Sequence, residues 1–253
     1  MLQLEILWSL FPRVDATTGW EDDMSDRWRR FLRRVHVEGI PWPGSVLYNA
    51  VSRTEVFRKH YALVADHVGS FRRTGSLLDI GTGPGWLLLA LRRSLPEMRL
   101  VGVDISPAMV ATARENMKKA GDDPAIDLRI AAAEEMPFPD DTFDVVVSTG
   151  SLHHWKHPPA ALNEAHRVLK TGGCALIYDL VRNLPPAVAK AVRREYGSLR
   201  MLMFWLHSFE EPFYSPRDME ALVQDTSFES ADIQFVGALC CLILRKSMIA
   251  PPP

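Results

Sequence analysis

The sequence predicts an α/β fold: a doubly wound, mostly parallel sheet of seven strands that finishes in a C-terminal antiparallel hairpin. Three observations predict it. From residue 76 onward, short apolar runs alternate strictly with helical patterns, the signature of a parallel sheet covered on both faces. The intervening helices carry their own start and stop residues. The last two apolar runs lie too close together for a crossover, so they form a hairpin.

Taken in order, "SLLDIG" is a strand and "GWLLLALRRSL" a helix stopped by Pro96. "RLVGVDI" is the next strand. The helix "SPAMVATARENMKKAG" follows, with Ser106 as N-cap, Pro107 at its first position and Gly121 at its end. Then come the strands "IDLRIA" and "FDVVVSTG", and the helix "PPAALNEAHRVLK", which Gly172 and Gly173 are expected to close. "CALIYDL" is the fifth strand, "SPRDMEALVQDT" a helix, and "SADIQFVG" with "ALCCLILRKS" the hairpin.

Residues 1–75 read as a helical extension or cap in which residues 49–68 form an amphipathic helix, with Ser52 as candidate N-cap and Glu55 three residues on. Residues 76–248 read as the main domain and 249–253 as a tail. Residues 183–214 are a long insertion rich in Met, Trp and Phe, expected to be a helical lid or substrate cover rather than a turn.

Composition narrows the classes of function. Apolar residues are 47% and charged residues 24%, as in soluble domains, and no run approaches the roughly 20 apolar residues of a membrane span. The start carries Glu5 without a basic leader or cleavage site, so a cytoplasmic location is expected. Three cysteines without Cys-x-x-Cys spacing argue for buried thiols, not a disulfide framework or a structural metal. A net charge of −2 gives no general pull toward nucleic acid. The exception is local: Arg27 to Arg34 hold five arginines on a near-helical apolar spacing, either a solvated helix face or a surface for a partner or an anionic lipid.

The chemistry lies in "LLDIGTGPG". A loop between a buried strand and the next helix sits at the carboxyl edge of the sheet, where open α/β proteins bind ligands. Gly81, Gly83 and Gly85 bare the backbone there. The dinucleotide pattern G-x-G-x-x-G is broken by Trp86, and no Gly-Lys-Ser/Thr follows, so neither phosphate motif fits. A nucleoside of little anionic charge remains. Asp104 ends the second strand nineteen residues after Gly85, where a carboxylate can accept from both ribose hydroxyls.

With "VGVDISPAMVATAREN", "AAAEEMPFPDDTFDVVVSTGSLHHW" and "ALNEAHRVLKTGGCALIYD", the stretch from about 75 to 180 resembles the class I S-adenosylmethionine-dependent methyltransferases. Within them it is most similar to the small-molecule group of the ubiquinone/menaquinone-biosynthesis type. The resemblance implies a Rossmann-like domain that transfers a methyl group from S-adenosyl-L-methionine to a small acceptor, leaving S-adenosyl-L-homocysteine. It implies that Asp79 and the loop Gly81, Thr82, Gly83 and Gly85 face the methionine part and the ribose. Asp104 would clasp the ribose hydroxyls, and Ile105 and Met109 would flank the adenine. Ala133 and Glu134 would meet the adenine edge, with Ser148 to Gly150 beneath the sulfonium. Ala132 departs from the pattern, because the family often carries an acceptor Asp there.

Catalytic candidates follow the fourth strand. His153 or His154 is suited to act as base, since imidazole titrates near neutrality, although packing and hydrogen bonding alone also account for these histidines. Tyr178 and Asp179, at the end of the fifth strand, either orient a substrate or cap the core. Tyr48 and Arg53 are further candidates, Arg53 for the methionine carboxylate. No metal and no nucleic-acid partner is expected. A nucleic-acid methyltransferase docking through Arg27 to Arg34 and a non-catalytic cofactor-binding subunit stand as alternatives.

Overall fold

The computed structural model describes residues 54–121, 126–196 and 213–247. The Arg27 to Arg34 stretch, Tyr48, Ser52, Arg53 and residues 197–212 of the expected lid lie outside the described residues.

The first described helix, α1 (Glu55–Phe71), precedes the sheet. There follow β1 (Gly75–Ile80), α2 (Trp86–Ser94), β2 (Met98–Asp104), α3 (Pro107–Ala120), β3 (Asp127–Ile130), β4 (Phe143–Thr149), α4 (Pro158–Val168) and β5 (Leu169–Asp179). The chain ends with α5 (Pro186–Tyr196), α6 (Pro216–Ala221), β6 (Ala231–Val236) and β7 (Leu239–Arg245). The strands form one seven-stranded sheet in the order β3-β2-β1-β4-β5-β7-β6. β3 to β5 run parallel, while β7 pairs antiparallel to both β5 and β6. The sheet is thus doubly wound and ends in the expected hairpin.

Local chemistry explains the elements. Ser106 caps α3 by accepting from the Met109 amide, Pro107 opens it, and Gly121 ends it in the left-handed conformation. Ser215 and Asp218 cap α6 reciprocally. One face of the sheet buries Val64, Leu88, Leu91, Val110 and Ala113 from α1, α2 and α3. The other buries Ala161, Leu162, Ala165 and Met219 from α4 and α6. With helices on both faces, β1 and β4 are almost continuously buried.

The end of α4 corrects the expectation for Gly172 and Gly173. The helix stops at Val168 with Leu169 already extended, and both glycines lie inside β5. Gly172 donates to the Lys246 carbonyl and Lys246 donates to Gly173, so the glycines join β5 to the end of β7 instead of capping a helix. A Cβ on Gly173 would stand 2.8 Å from the Lys170 carbonyl oxygen, which only glycine avoids.

An ion cluster ties the amino-terminal edge of the sheet. Asp144, at the start of β4, accepts from the Ser76 amide at 2.9 Å, from Arg72 at 2.8 Å and from Lys170 at 2.8 Å. Burial pushes its carboxyl up, but Lys170, both Ser76 donors and Arg72 outweigh that and hold it well below the usual carboxylate range. Asp144→Ala leaves those donors facing an emptied site and is expected to cost about 2–4 kcal/mol in urea denaturation at pH 7. A carboxyl depressed in the folded state stabilises above its unfolded pKa, and that stabilisation fades as pH falls toward the folded one. The difference between wild type and variant is therefore expected to shrink below about pH 4.

Candidate active site

The carboxyl ends of β1, β2 and β4 open into a cleft. Gly81, Gly83, Asp104, Ile105, Met109, Ala133, Glu134 and His154 all line it. A smaller cavity shares Gly81, Gly83 and Thr149 with it and is walled further by Asp79, Thr82, Leu87 and Tyr61 of α1.

The glycine loop turns back on the sheet. Gly81, Gly83 and Gly85 have φ of 72°, 51° and 80°, which side-chain-bearing residues rarely adopt. Two of the glycines serve the protein's own packing. A Cβ on Gly81 would stand 2.5 Å from Ser151, and one on Gly85 2.4 Å from Met117. Gly85 therefore lets α2 approach α3, and it lines neither cavity.

Two buried carboxylates anchor the loop. Asp104 accepts from the Gly83 amide at 2.8 Å and from the Ser106 amide at 2.8 Å. Its burial pushes the carboxyl up, and those two amides oppose the rise. Asp79 accepts from the Thr82 hydroxyl at 2.8 Å. Burial pushes its carboxyl up to about 7, Thr82 lowers it, and nearby Asp104 adds to the rise.

The turn after β4 brings the histidines to different places. His154 lines the cleft beside Trp155. His153 lies behind it, buried, with its ring 4.0 Å from that of His154 and 4.4 Å from that of Phe213. Its Nδ1 donates to Asp179 at 2.9 Å and its amide to the same carboxylate at 3.0 Å. Asp179 also accepts from the Leu180 amide. The carboxylate thus fixes the orientation of the ring.

Tyr178 and Ser148 are not brought to the cleft. Successive residues of β5 point to opposite faces, so Asp179 meets His153 while Tyr178 enters the core under α1. His67 bridges Tyr178 and Gln234, its Nδ1 2.7 Å from the Tyr178 hydroxyl and its Nε2 3.0 Å from the Gln234 amide oxygen. Burial pushes the phenol far above its ordinary range, and the hydroxyl faces His67. Ser148 is fully buried, with its hydroxyl 2.6 Å from that of Ser151. Cys174, Cys240 and Cys241 are buried and free, as read. Ala132 is absent from the lining, although Ala131 and Ala133 are part of it. Sequence reasoning missed Tyr61, Ser151 and Ala131. Nothing in the pattern of α1 singles out Tyr61, which reaches the cavity only through tertiary packing.

A glycine loop, a strand-end acid and a cleft at the carboxyl edge of a sheet in this order define a Rossmann-like methyltransferase domain. Residues 78–177 match the family described as "Methyltransferase domain". The chain is 39% identical over 106 residues to the ubiquinone/menaquinone biosynthesis C-methyltransferase UbiE of Geobacter sulfurreducens, covering 42% of this chain and 41% of that protein. It is 35% identical over 138 residues to a phosphatidylethanolamine N-methyltransferase of Cereibacter sphaeroides, covering 53% and 66%. The chain thus spans less than half the length of the first relative and about two thirds of the second. A SAM-dependent methyltransferase structure from Aquifex aeolicus shares the fold, with a TM-score of 0.56 at 20% identity over 72% of this chain and 88% of that one. Among the described residues, no helix is long and apolar enough to cross a membrane.

Proposed function

We propose that the protein transfers a methyl group from S-adenosyl-L-methionine to a small, apolar acceptor. The carrying observation is the pair of buried carboxylates, Asp79 and Asp104, on either side of a bared loop. Their donor set fits the cofactor. Asp104 has acceptor capacity beyond its two amide bonds for the ribose hydroxyls. Asp79 offers the methionine ammonium a carboxylate, while Ile105, Met109, Ala133 and Glu134 make an apolar slot with a polar edge for adenine.

When bound, the cofactor supplies a methyl group already activated by a sulfonium. The chain's residues have to orient the acceptor, exclude water and take up a proton where the acceptor carries one. His154 is the group in the cleft suited to take that proton, and His153, clamped by Asp179, holds the turn that presents it. Trp155, which lines the cleft with His154, favours an apolar acceptor. The relatives' names, a ubiquinone/menaquinone biosynthesis C-methyltransferase and a phosphatidylethanolamine N-methyltransferase, support that reading.

The test incubates purified protein with methyl-labelled cofactor and a cell extract. Label in a small organic-extractable product is expected, and label only in protein or nucleic acid would sink the reading. His154→Ala is expected to lower turnover by about 10²- to 10⁴-fold for an acceptor that must lose a proton. Calorimetry should find S-adenosylhomocysteine bound to that variant as to wild type.

A further inference from the structure

The glycine loop has no amide left for an anion. Gly81 and Thr82 both donate to the Val103 carbonyl at 2.9 Å, Gly83 donates to Asp104 and Gly85 to the Thr82 carbonyl, while Pro84 has no N–H. The Thr82 hydroxyl is committed to Asp79, and the Gly150 amide to the Tyr178 carbonyl. A zwitterionic amino-acid end entering the smaller cavity finds a carboxylate for its ammonium and needs a donor for its own carboxylate.

One buried polar atom there is unmatched. The Thr149 hydroxyl is out of contact with water and has no hydrogen-bond partner among the described residues. Thr149 ends β4 and borders both cavities, the main cleft and the one that holds Asp79. A buried hydroxyl without a partner is costly, so its natural complement is a ligand. Leu87, in the first turn of α2, lines the same cavity and sets the positive pole of that helix beside it.

We propose that Thr149 is the donor that receives the carboxylate of the cofactor's amino-acid end, opposite Asp79, which takes the ammonium. The assignment rests on the cofactor reading above. It makes the end of β4 the reader of the amino-acid tail, while the loop and Asp104 read the nucleoside.

Three probes separate the groups: S-adenosylhomocysteine, its decarboxylated analogue, which keeps the amine, and methylthioadenosine, which lacks both. Binding is measured calorimetrically at pH 8. Thr149→Val is expected to weaken S-adenosylhomocysteine about tenfold and leave the other two within twofold of wild type. Thr149→Ser, which keeps the hydroxyl, should stay within threefold for all three. Unchanged binding of methylthioadenosine also shows that the variant is folded, and Thr149→Ala carries the same expectation if valine crowds the cavity. Equal weakening of the decarboxylated analogue would overturn the proposal, as would no weakening at all. Failure of wild type to bind any probe would instead overturn the cofactor reading itself.

Discussion

Asp104→Ala is expected to weaken S-adenosylhomocysteine binding about a hundredfold, a loss on the order of 3 kcal/mol from charge-assisted bonds to two ribose hydroxyls. The geometry makes the effect larger than a lost contact alone. The same carboxylate holds the Gly83 amide on one oxygen and the Ser106 amide on the other, so its removal also frees the loop and the start of α3. Asp104→Asn is expected to fare no better than alanine. Both facing backbone groups are donors, and an amide presents one of them with an N–H₂ instead of an oxygen. Calorimetry with S-adenosylhomocysteine decides the matter, and binding within threefold of wild type would remove Asp104 from the site.

A pH dependence set by Asp79 is the second large effect. The cofactor's ammonium needs the ionised carboxylate, whereas burial holds the free protein's Asp79 protonated up to about pH 7. Affinity is expected to be flat above about pH 8 and to fall roughly tenfold per unit below 7, as binding must expel a proton. Titrations in buffers of different ionisation enthalpy should detect that proton. Asp79→Asn should bind more weakly and lose the slope.

The stability of the free protein runs the opposite way. A carboxyl raised in the folded state binds its proton more tightly there than when unfolded. Its contribution is thus complete below about pH 4 and is lost as pH climbs toward 7. Asp79→Asn is therefore expected to stabilise the free protein at pH 8, by a few kcal/mol at most. Asp144 has the contrary sign, so the two carboxylates pull the stability profile in opposite directions.

What the sequence shows of this site is whatever depends on neighbours along the chain. The glycine loop, Ser106 with Pro107 and Gly121, and the strand-end Asp104 are each local signals, and the structure sets each between the elements predicted to flank it. The failures are non-local. Gly172 and Gly173 resemble a helix stop until the Lys246 backbone, some 70 residues on, is seen bonded to both. Tyr178 and Asp179 look equally placed, and the pleat sends one into the core and the other to His153. The orphaned hydroxyl of Thr149 is visible only after every neighbouring amide has been assigned.

The bridge from Tyr178 through His67 to Gln234 sets a lower limit on any working fragment. Residues 78–177, the part shared with the family, stop one residue short of that tyrosine and exclude both of its partners. A protein trimmed to those limits would expose the whole hydrogen-bonding border of β5, which β7 covers, and would lose the helix that brings Tyr61 to the cavity. Such a truncation should self-associate rather than bind nucleosides, because the segments on either side of residues 78–177 keep that border from acting as a template for other chains.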